Sequence, residues 1–177
     1  MRLRWIAFLG IALAGASLDV ATKSFAFSRF ERGAPIPLLP RFLSIQLTTN
    51  RGIAGGRFPS PAWKFVSIAA IPLIAAAFLR RKDARVVETS CGAFLLAGAL
   101  GNAWDRAVLG FVRDFILVPG IPNFNLADAM LSGGIAVLIL LWILYDRRPL
   151  GEARPADLGQ SHDGGLGYVG RDHGPRP

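Results

Sequence analysis

The chain has 177 residues, of which 52% are hydrophobic and 18% are charged, and its mean hydropathy is +0.40. This composition excludes an ordinary soluble domain and is typical of a small membrane protein that crosses the bilayer several times. A single cysteine excludes a disulfide framework and a cysteine-based metal site. The net charge of +8 does not indicate nucleic-acid binding, because Arg and Lys cluster where apolar segments end.

Four apolar segments are long enough to cross a bilayer: residues 5–27, 62–79, 86–108 and 125–145. The second contains Pro72, which a membrane helix tolerates with a kink. The first also has features of a cleaved signal peptide, since Arg2 and Arg4 precede an apolar core and the small residues 14–16. We favour a membrane helix, because the apolar run continues beyond those small residues. The prediction is an all-α membrane fold with four transmembrane helices.

The basic residues predict the orientation of these helices. Arg80, Arg81, Lys82 and Arg85 crowd the connection between the second and third segments, and arginines also precede the first and follow the fourth. By the positive-inside rule, both termini and this connection are cytoplasmic. The loop 28–61 then lies outside, although five arginines are spread along it. We expect residues 1–149 to form the membrane domain and residues 150–177, rich in Gly, Pro, Asp, Arg and His, to form a disordered cytoplasmic tail.

The outer loop contains a pattern typical of a β-strand. Residues 42–49 alternate with a period of two and precede the turn sequence Asn50-Arg51-Gly52, so we predict a small β element on the outer surface. Gly52, Gly55 and Gly56 permit close backbone approach. We expect this glycine loop to act as a flap over the functional site, and the alternative is a passive turn that closes the β element.

Charged residues at membrane depth mark the candidate site, because such groups usually face the bundle interior and serve chemistry or transport. Asp19 and Lys23 lie four apart on one helical face, where they either neutralise each other as an ion pair or take a direct chemical role. Asn102, Asp105 and Arg106 share one face of the third segment. They form either a structural network, in which Asp105 pairs with Arg106 or another acid, or a set of hydrogen-bonding groups around a site.

Asp114 and Asp128 are joined by a short loop rich in Gly, Pro and Asn. In one interpretation Asn125 caps the fourth helix and Asp128 merely favours its N-terminus. That interpretation leaves Asp114, which lies in an apolar stretch, without an explanation. In the other, the two acids meet at a partly dry surface and share a proton, so that one activates water and the other protonates a leaving nitrogen. These residues alone do not identify a substrate.

Five short motifs follow one another along roughly residues 15–130. They are Asp19-Val-Ala-Thr22-Lys23, Asn50-Arg-Gly52-Ile-Ala54, Gly101-Asn102-Ala-Trp-Asp105-Arg106, Val112-Arg-Asp114-Phe115 and Phe124-Asn125-Leu-Ala127-Asp128. In their order and spacing they resemble the motifs of the lipoprotein signal peptidases, signal peptidase II. The resemblance covers essentially the whole membrane domain.

This resemblance implies an aspartic endopeptidase of the bacterial inner membrane, with four helices and a small periplasmic β-subdomain. It implies removal of signal peptides from diacylglyceryl-modified prolipoproteins, just before the lipidated cysteine. Lipidated prolipoproteins and membrane lipid are then the expected partners, and no cofactor, metal or nucleic acid is expected. Asp114 and Asp128 would be the catalytic pair. The expected substrate-binding or supporting residues are Asn50, Gly52, Asn102, Arg106, Asn125, Asp105, Asp19 and Lys23.

The chain departs from the family pattern at three points. Gly55 follows Ala54 where an aromatic residue is usual, Arg113 replaces a small apolar residue before Asp114, and the connection from Asp114 to Asp128 is short. A cation beside Asp114 would stabilise its ionised form. The alternatives to an active peptidase are a catalytically altered homologue, a proton-coupled transporter, which usually shows internal repeats that are not evident here, and a non-catalytic membrane scaffold.

Overall fold

This computed structural model describes residues 2–52, 62–81 and 85–145. Within those ranges the protein consists of helices and a small sheet whose strands lie between the helices in sequence. The helices and strands within those ranges are α1 (Arg2–Arg29), β1 (Ile36–Leu39), β2 (Leu43–Asn50), α2 (Ala62–Leu79), α3 (Val86–Val108), β3 (Val112–Leu117) and α4 (Leu126–Tyr145). Gly55, Gly56, Lys82 and the predicted tail 150–177 lie outside the described residues.

Three of the described helices are long and apolar enough to cross a membrane, namely Leu3–Arg29, Val86–Val108 and Leu126–Leu144. These correspond to the first, third and fourth predicted segments. The second segment is also a helix, α2, which contains Pro72, but its described apolar part is the shorter stretch Ile68–Leu79. The prediction of a mainly helical membrane fold is confirmed for three spans.

The third helix is the centre of the bundle. Of its apolar span, 61% is buried, against 17% for α1 and 11% for α4. Small residues of α3, including Gly92, Ala93, Ala97 and Gly98, allow the other helices to approach its backbone closely. The outward faces of α1 and α4 expose large apolar side chains, and those faces are therefore the ones suited to lipid.

The sheet is antiparallel in the order β1-β2-β3. Strand β2 confirms the β element that alternation predicted for residues 42–49. The turn that follows is also present, because the side-chain oxygen of Asn50 accepts a hydrogen bond from the backbone N–H of Gly52 at 3.0 Å. Strand β3 was not predicted. Its register places Asp114 opposite Thr48 and Val112 opposite Asn50. Asp114 and Asn50 therefore lie near each other at one end of the paired strands.

Gly98 lies where the backbones of α3 and α4 approach each other closely. A methyl group added there would lie 2.5 Å from the backbone oxygen of Ala127 and 2.7 Å from Cγ of Leu131. Because the backbone of α4 cannot yield as a side chain would, Gly98→Ala is expected to lower the free energy of unfolding by about 1–3 kcal/mol. The measurement is the thermal unfolding midpoint of purified protein in detergent.

Gly10→Ala is the matched control for this variant. Gly10 also lies in a membrane helix, but an added methyl group there meets nothing within 4 Å. The higher helix propensity of Ala, worth ~1 kcal/mol, should leave its midpoint unchanged or raised. Equal midpoints for the two variants would contradict the close packing of α3 on α4.

Candidate active site

A buried ion pair lies beneath the candidate site, on the side of the membrane helices. The side chains of Asp19 and Lys23 are both fully buried, and Nζ of Lys23 donates to Oδ2 of Asp19 at 2.6 Å. The predicted intrahelical ion pair is therefore present. Nζ of Lys23 also donates to Oδ1 of Asn102 at 2.9 Å, and Oδ1 of Asp19 accepts from the backbone N–H of Ala127 at 2.8 Å. One pair on α1 thus holds both α3 and the first turn of α4.

Asn125 and Asp128 cap the N-terminus of α4 reciprocally. Oδ1 of Asn125 accepts from the backbone N–H of Asp128 at 3.0 Å, and Oδ2 of Asp128 accepts from the backbone N–H of Asn125 at 3.3 Å. This is the capping-box arrangement, in which two side chains satisfy two backbone donors at a helix start. The interpretation of Asn125 as a helix cap is confirmed, and Asp128 does more than favour the helix N-terminus, because its side chain bonds back to the backbone of Asn125. The same two side chains make further contacts.

The further contacts bring the two acids together. Nδ2 of Asn125 donates to Oδ1 of Asp114 at 2.6 Å, and Nδ2 of Asn102 donates to Oδ1 of Asp128 at 2.8 Å. Asn125 also reaches Oδ1 of Asn102, at 3.3 Å. Asn125 therefore links the two carboxyl groups, and both oxygens of Asp128 accept from N–H donors. The structure brings Asp114, Asp128, Asn102 and Asn125 into one connected cluster.

The environment of Asp114 favours its protonated form. Burial and, to a smaller extent, the charge of Asp128 raise the pKa of this carboxyl to about 6, against hydrogen bonds from Asn125 and Asn50 that lower it. The side chain is only 2% exposed. The sequence suggested that the cation of Arg113 would stabilise the ionised form of Asp114. That expectation is wrong, because the Arg113 side chain is turned to Asp105.

Asp105 pairs with Arg113 rather than with Arg106, which corrects one of the predicted pairings. Nη2 of Arg113 lies 2.8 Å from Oδ1 of Asp105, and Lys23 lies 3.8 Å from its Oδ2. The guanidinium of Arg106 instead donates to the backbone oxygen of Gly52 at 3.3 Å and interacts with the charges of Asp128 and Asp114. Arg106 and Gly52 therefore lie on the side of the site that faces the outer loop.

The sequence placed Asp114 in the candidate site but did not show that this residue lies in a strand, β3. Its residues 112–117 lie in the continuous apolar stretch FVRDFI and its neighbours, in which only Arg113 and Asp114 are polar. Because these two polar residues are adjacent, the sequence shows no alternation of polar and apolar residues, although their side chains project to opposite faces of the strand. The expected flap residues Gly55 and Gly56 lie outside the described residues. Among those that the structure describes, no group of three His, Cys, Asp or Glu side chains could hold a metal ion.

Comparison with known proteins identifies the family to which this chain belongs. The family model for signal peptidase (SPase) II matches residues 11–144. The chain belongs to the signal peptidase II family. A lipoprotein signal peptidase of Symbiobacterium thermophilum is 31% identical over 145 residues, which are 78% of this chain and 95% of the relative. A lipoprotein signal peptidase of Acinetobacter baumannii is 38% identical over 154 residues, covering 80% and 86%.

Solved structures agree with the family assignment. A bacterial membrane enzyme determined by the in meso method at 2.3 Å resolution superposes with a TM-score of 0.69, at 27% identity over 84% of this chain and 94% of that one. A second, at 1.9 Å, gives a TM-score of 0.68 at 30% identity over 79% and 94%. With its apolar helices, this signal peptidase II family member is a multi-pass membrane protein and a peptidase. Family membership does not favour the transporter or scaffold alternatives.

An apolar groove of about 490 Å³ runs between α3 and α4 of the protein. Its lining begins at Ala129, one residue beyond Asp128, and is formed by Val87, Ser90, Cys91, Phe94, Ala129, Met130, Gly133, Gly134 and Val137. Gly133 and Gly134 have no side chains, so they leave space for the groove on this side of α4. The lining of the groove therefore begins one residue after Asp128 and continues along the membrane-spanning parts of α3 and α4.

The raised pKa of Asp114 predicts how this carboxyl titrates. Its protonated C=O band in infrared difference spectra should disappear with a midpoint near pH 6 and be absent in Asp114→Asn. The folded state holds this proton more tightly than the unfolded chain does, with a pKa of about 6 against the ordinary 3.8. Stability should therefore fall as pH rises through that window, by ~3 kcal/mol in total.

The Asp114→Asn variant tests the same point through stability. The neutral amide removes the cost of ionising a buried carboxyl, so this variant should unfold at a higher temperature than the unsubstituted protein at about pH 8 and lose that advantage at about pH 4. A variant less stable than the unsubstituted protein at both pH values would contradict the assigned environment of Asp114.

Proposed function

We propose that this protein is an aspartic endopeptidase of the bacterial inner membrane that removes signal peptides from diacylglyceryl-modified prolipoproteins, cutting just before the lipidated cysteine. The observation that carries the proposal is the connected cluster of Asp114, Asn125 and Asp128. Relatives of this chain are named lipoprotein signal peptidases, which supports the substrate class.

The two acids take different roles. Asp128 accepts hydrogen bonds at both oxygens, which suits a carboxylate, and it acts as the general base that takes a proton from water. Asp114, whose pKa is raised, donates its proton to the substrate carbonyl oxygen as water adds. When the resulting diol collapses, Asp128 passes the proton that it took from water to the leaving nitrogen, and Asp114 takes a proton back from a diol hydroxyl. The different environments of the two acids thus let one begin as the proton donor and the other as the proton acceptor, and the two roles are exchanged in the second step.

The surrounding residues divide into two groups. Asn50, Gly52 and Arg106 lie on the side of the outer loop and are proposed to contact the substrate peptide, with the backbone oxygen of Gly52 already held by Arg106. Asn102 and Asn125 orient the two carboxyl groups. Asp19, Lys23 and Asp105 support the site from beneath by joining the helices on which it stands.

The cluster lies at one end of the bundle, which supports a periplasmic site. Lys23, Asn102 and Asp128 lie near the C-terminal ends of α1 and α3 and the N-terminal end of α4, next to the sheet. At the opposite end, Nη2 of Arg4 donates to the backbone oxygen of Arg81 at 3.1 Å, so the basic start of α1 meets the basic connection after α2. We assign that end to the cytoplasm, with α2 as the fourth span and both termini inside.

The groove between α3 and α4 supports entry of substrate from within the membrane. The apolar segment of a signal peptide or an acyl chain fits its chemistry, since its lining is almost entirely apolar. A substrate held there would have its cleavage site at the end of α4 where Asp128 lies. Residues 1–149 form the peptidase domain in this proposal, and residues 150–177 form a cytoplasmic tail.

The dyad is tested by replacing each acid separately. Asp114→Asn and Asp128→Asn should each abolish cleavage of a lipidated prolipoprotein by the purified protein, because either change removes the acid–base exchange, worth at least ~3 kcal/mol of transition-state stabilisation. The control is insertion and accumulation of both variants at ordinary levels in membranes. Substantial residual cleavage by well-folded Asp128→Asn would refute the mechanism.

The lipid on the substrate cysteine is expected to supply binding energy. Buried acyl chain contributes ~0.8 kcal/mol per methylene, so the unlipidated precursor should be cleaved much less efficiently than the diacylglyceryl-modified one. The measurement compares kcat/KM for the two forms of one precursor in the same detergent. Equal efficiencies would exclude lipid-dependent recognition while leaving the peptidase activity itself established.

A further inference from the structure

Arg113 precedes Asp114 in β3 and is tied to two helices. Its side chain is only 12% exposed, and Nη2 and Nε donate to the two oxygens of Asp105 at 2.8 and 3.2 Å. Nη1 donates to the hydroxyl of Ser24 at 3.1 Å. The planar guanidinium therefore fastens β3 to α3 through a bidentate pair and to α1 through one further bond.

Asp105 also holds the main chain of this strand. The backbone N–H of Arg113 donates to Oδ2 of Asp105 at 3.0 Å, so one buried carboxylate binds both the backbone and the side chain of the same residue. Successive side chains of a strand project to opposite faces. With Arg113 directed to Asp105, Asp114 is directed to Asn125. Any displacement of the backbone at Arg113 is thus transmitted directly to the carboxyl of Asp114.

The charges of this cluster require Arg113. Asp105 is fully buried, and Lys23, its other cationic neighbour at 3.8 Å, is already paired with Asp19 at 2.6 Å. Two cations and two carboxylates therefore balance. Without the guanidinium, Asp105 would be a poorly compensated buried anion, and such an anion attracts water or moves.

We propose that Arg113 is a positioning residue for the reaction: acting through Asp105, it fixes the β3 backbone so that Asp114 stays hydrogen-bonded to Asn125 and close to Asp128. The inference rests on the proposed peptidase function. Arg113 itself acts at a distance from the reacting atoms, because its hydrogen bonds go to Asp105 and Ser24.

The test uses Arg113→Met in the full-length protein, which keeps the aliphatic stem and removes the guanidinium. We expect kcat on a lipidated prolipoprotein to fall at least ~10-fold with KM changed less than ~3-fold, since misplacement of a catalytic group by a fraction of an ångström costs turnover rather than binding. The infrared midpoint of the Asp114 carboxyl should also fall toward its ordinary value, because a looser site admits water. The charged groups facing Asp114, namely Asp128, Lys23 and Arg106, are unchanged in this variant.

Two further variants keep the test decisive if Arg113→Met folds poorly. Arg113→Lys retains the charge without the bidentate geometry and should recover part of kcat. The double variant Arg113→Met with Asp105→Asn leaves no uncompensated buried carboxylate, so it should fold while keeping the low kcat. Arg32→Met is the control, because it removes an exposed arginine that lies over Phe27, outside this network.

The possible outcomes separate the inference from the proposed function. If the unsubstituted protein does not cleave lipidated prolipoprotein, the proposed function fails, whereas a lowered Asp114 midpoint in Arg113→Met would still support positioning. If the unsubstituted protein is active and Arg113→Met matches Arg32→Met in kcat and midpoint, the inference is overturned. A loss confined to KM, or a lower kcat with an unshifted midpoint, also overturns it.

Discussion

The buried cation of Lys23 is the constraint on which the rest of the site depends. An ammonium group at this depth is costly unless it is paired and hydrogen-bonded. The chain satisfies it with Asp19 on the same helix and with Asn102 on α3, and Asp105 lies nearby. The second oxygen of Asp19 then caps α4 at Ala127. Neutralising one charge thus fixes the relative positions of three helices.

The two candidate catalytic acids are treated differently from these supporting acids. Asp19 and Asp105 are each paired with a cation, whereas Asp114 and Asp128 are held mainly by amide groups of asparagine. Amides orient a carboxyl group without fixing its charge. The supporting pairs therefore stabilise the arrangement, and the amide-held pair remains able to exchange a proton. Stability and reactivity are assigned to neighbouring but distinct layers of polar residues.

The sequence alone predicted the helices and one strand well. Residues 62–79 and 86–108 coincide with α2 and α3, because long apolar runs between basic residues have few other solutions in a membrane. The alternation of residues 42–49 predicted β2. Strand β3 was missed, since its pairing with β2 joins residues about 70 positions apart and leaves no local signal in an apolar stretch.

The site was predicted by residue type but not by partner. The spacing of Asn125 and Asp128 indicated a helix cap, yet it did not show that the amide of Asn125 turns to Asp114, because that contact depends on β3. The pairing of Asp105 with Arg113 depends on the same strand, and for that reason Arg106 was the wrong partner. The contact between Asp19 and Lys23 was predicted correctly, because a spacing of four residues in one helix is enough to bring the two side chains together.

The capping role of Asp128 has a consequence for how the protein responds to heat. The first turn of a helix frays more readily than its middle, and here that turn contains Asp128, one of the two candidate catalytic acids. Each opening of that turn withdraws Asp128 and releases Asn125 from Asp114 at the same moment. The fraction of molecules in which this turn is closed therefore limits turnover, and the hydrogen-exchange protection of the backbone amides of residues 125–128 measures that fraction. On warming, activity should therefore be lost through the opening of this one turn while the membrane helices are still folded.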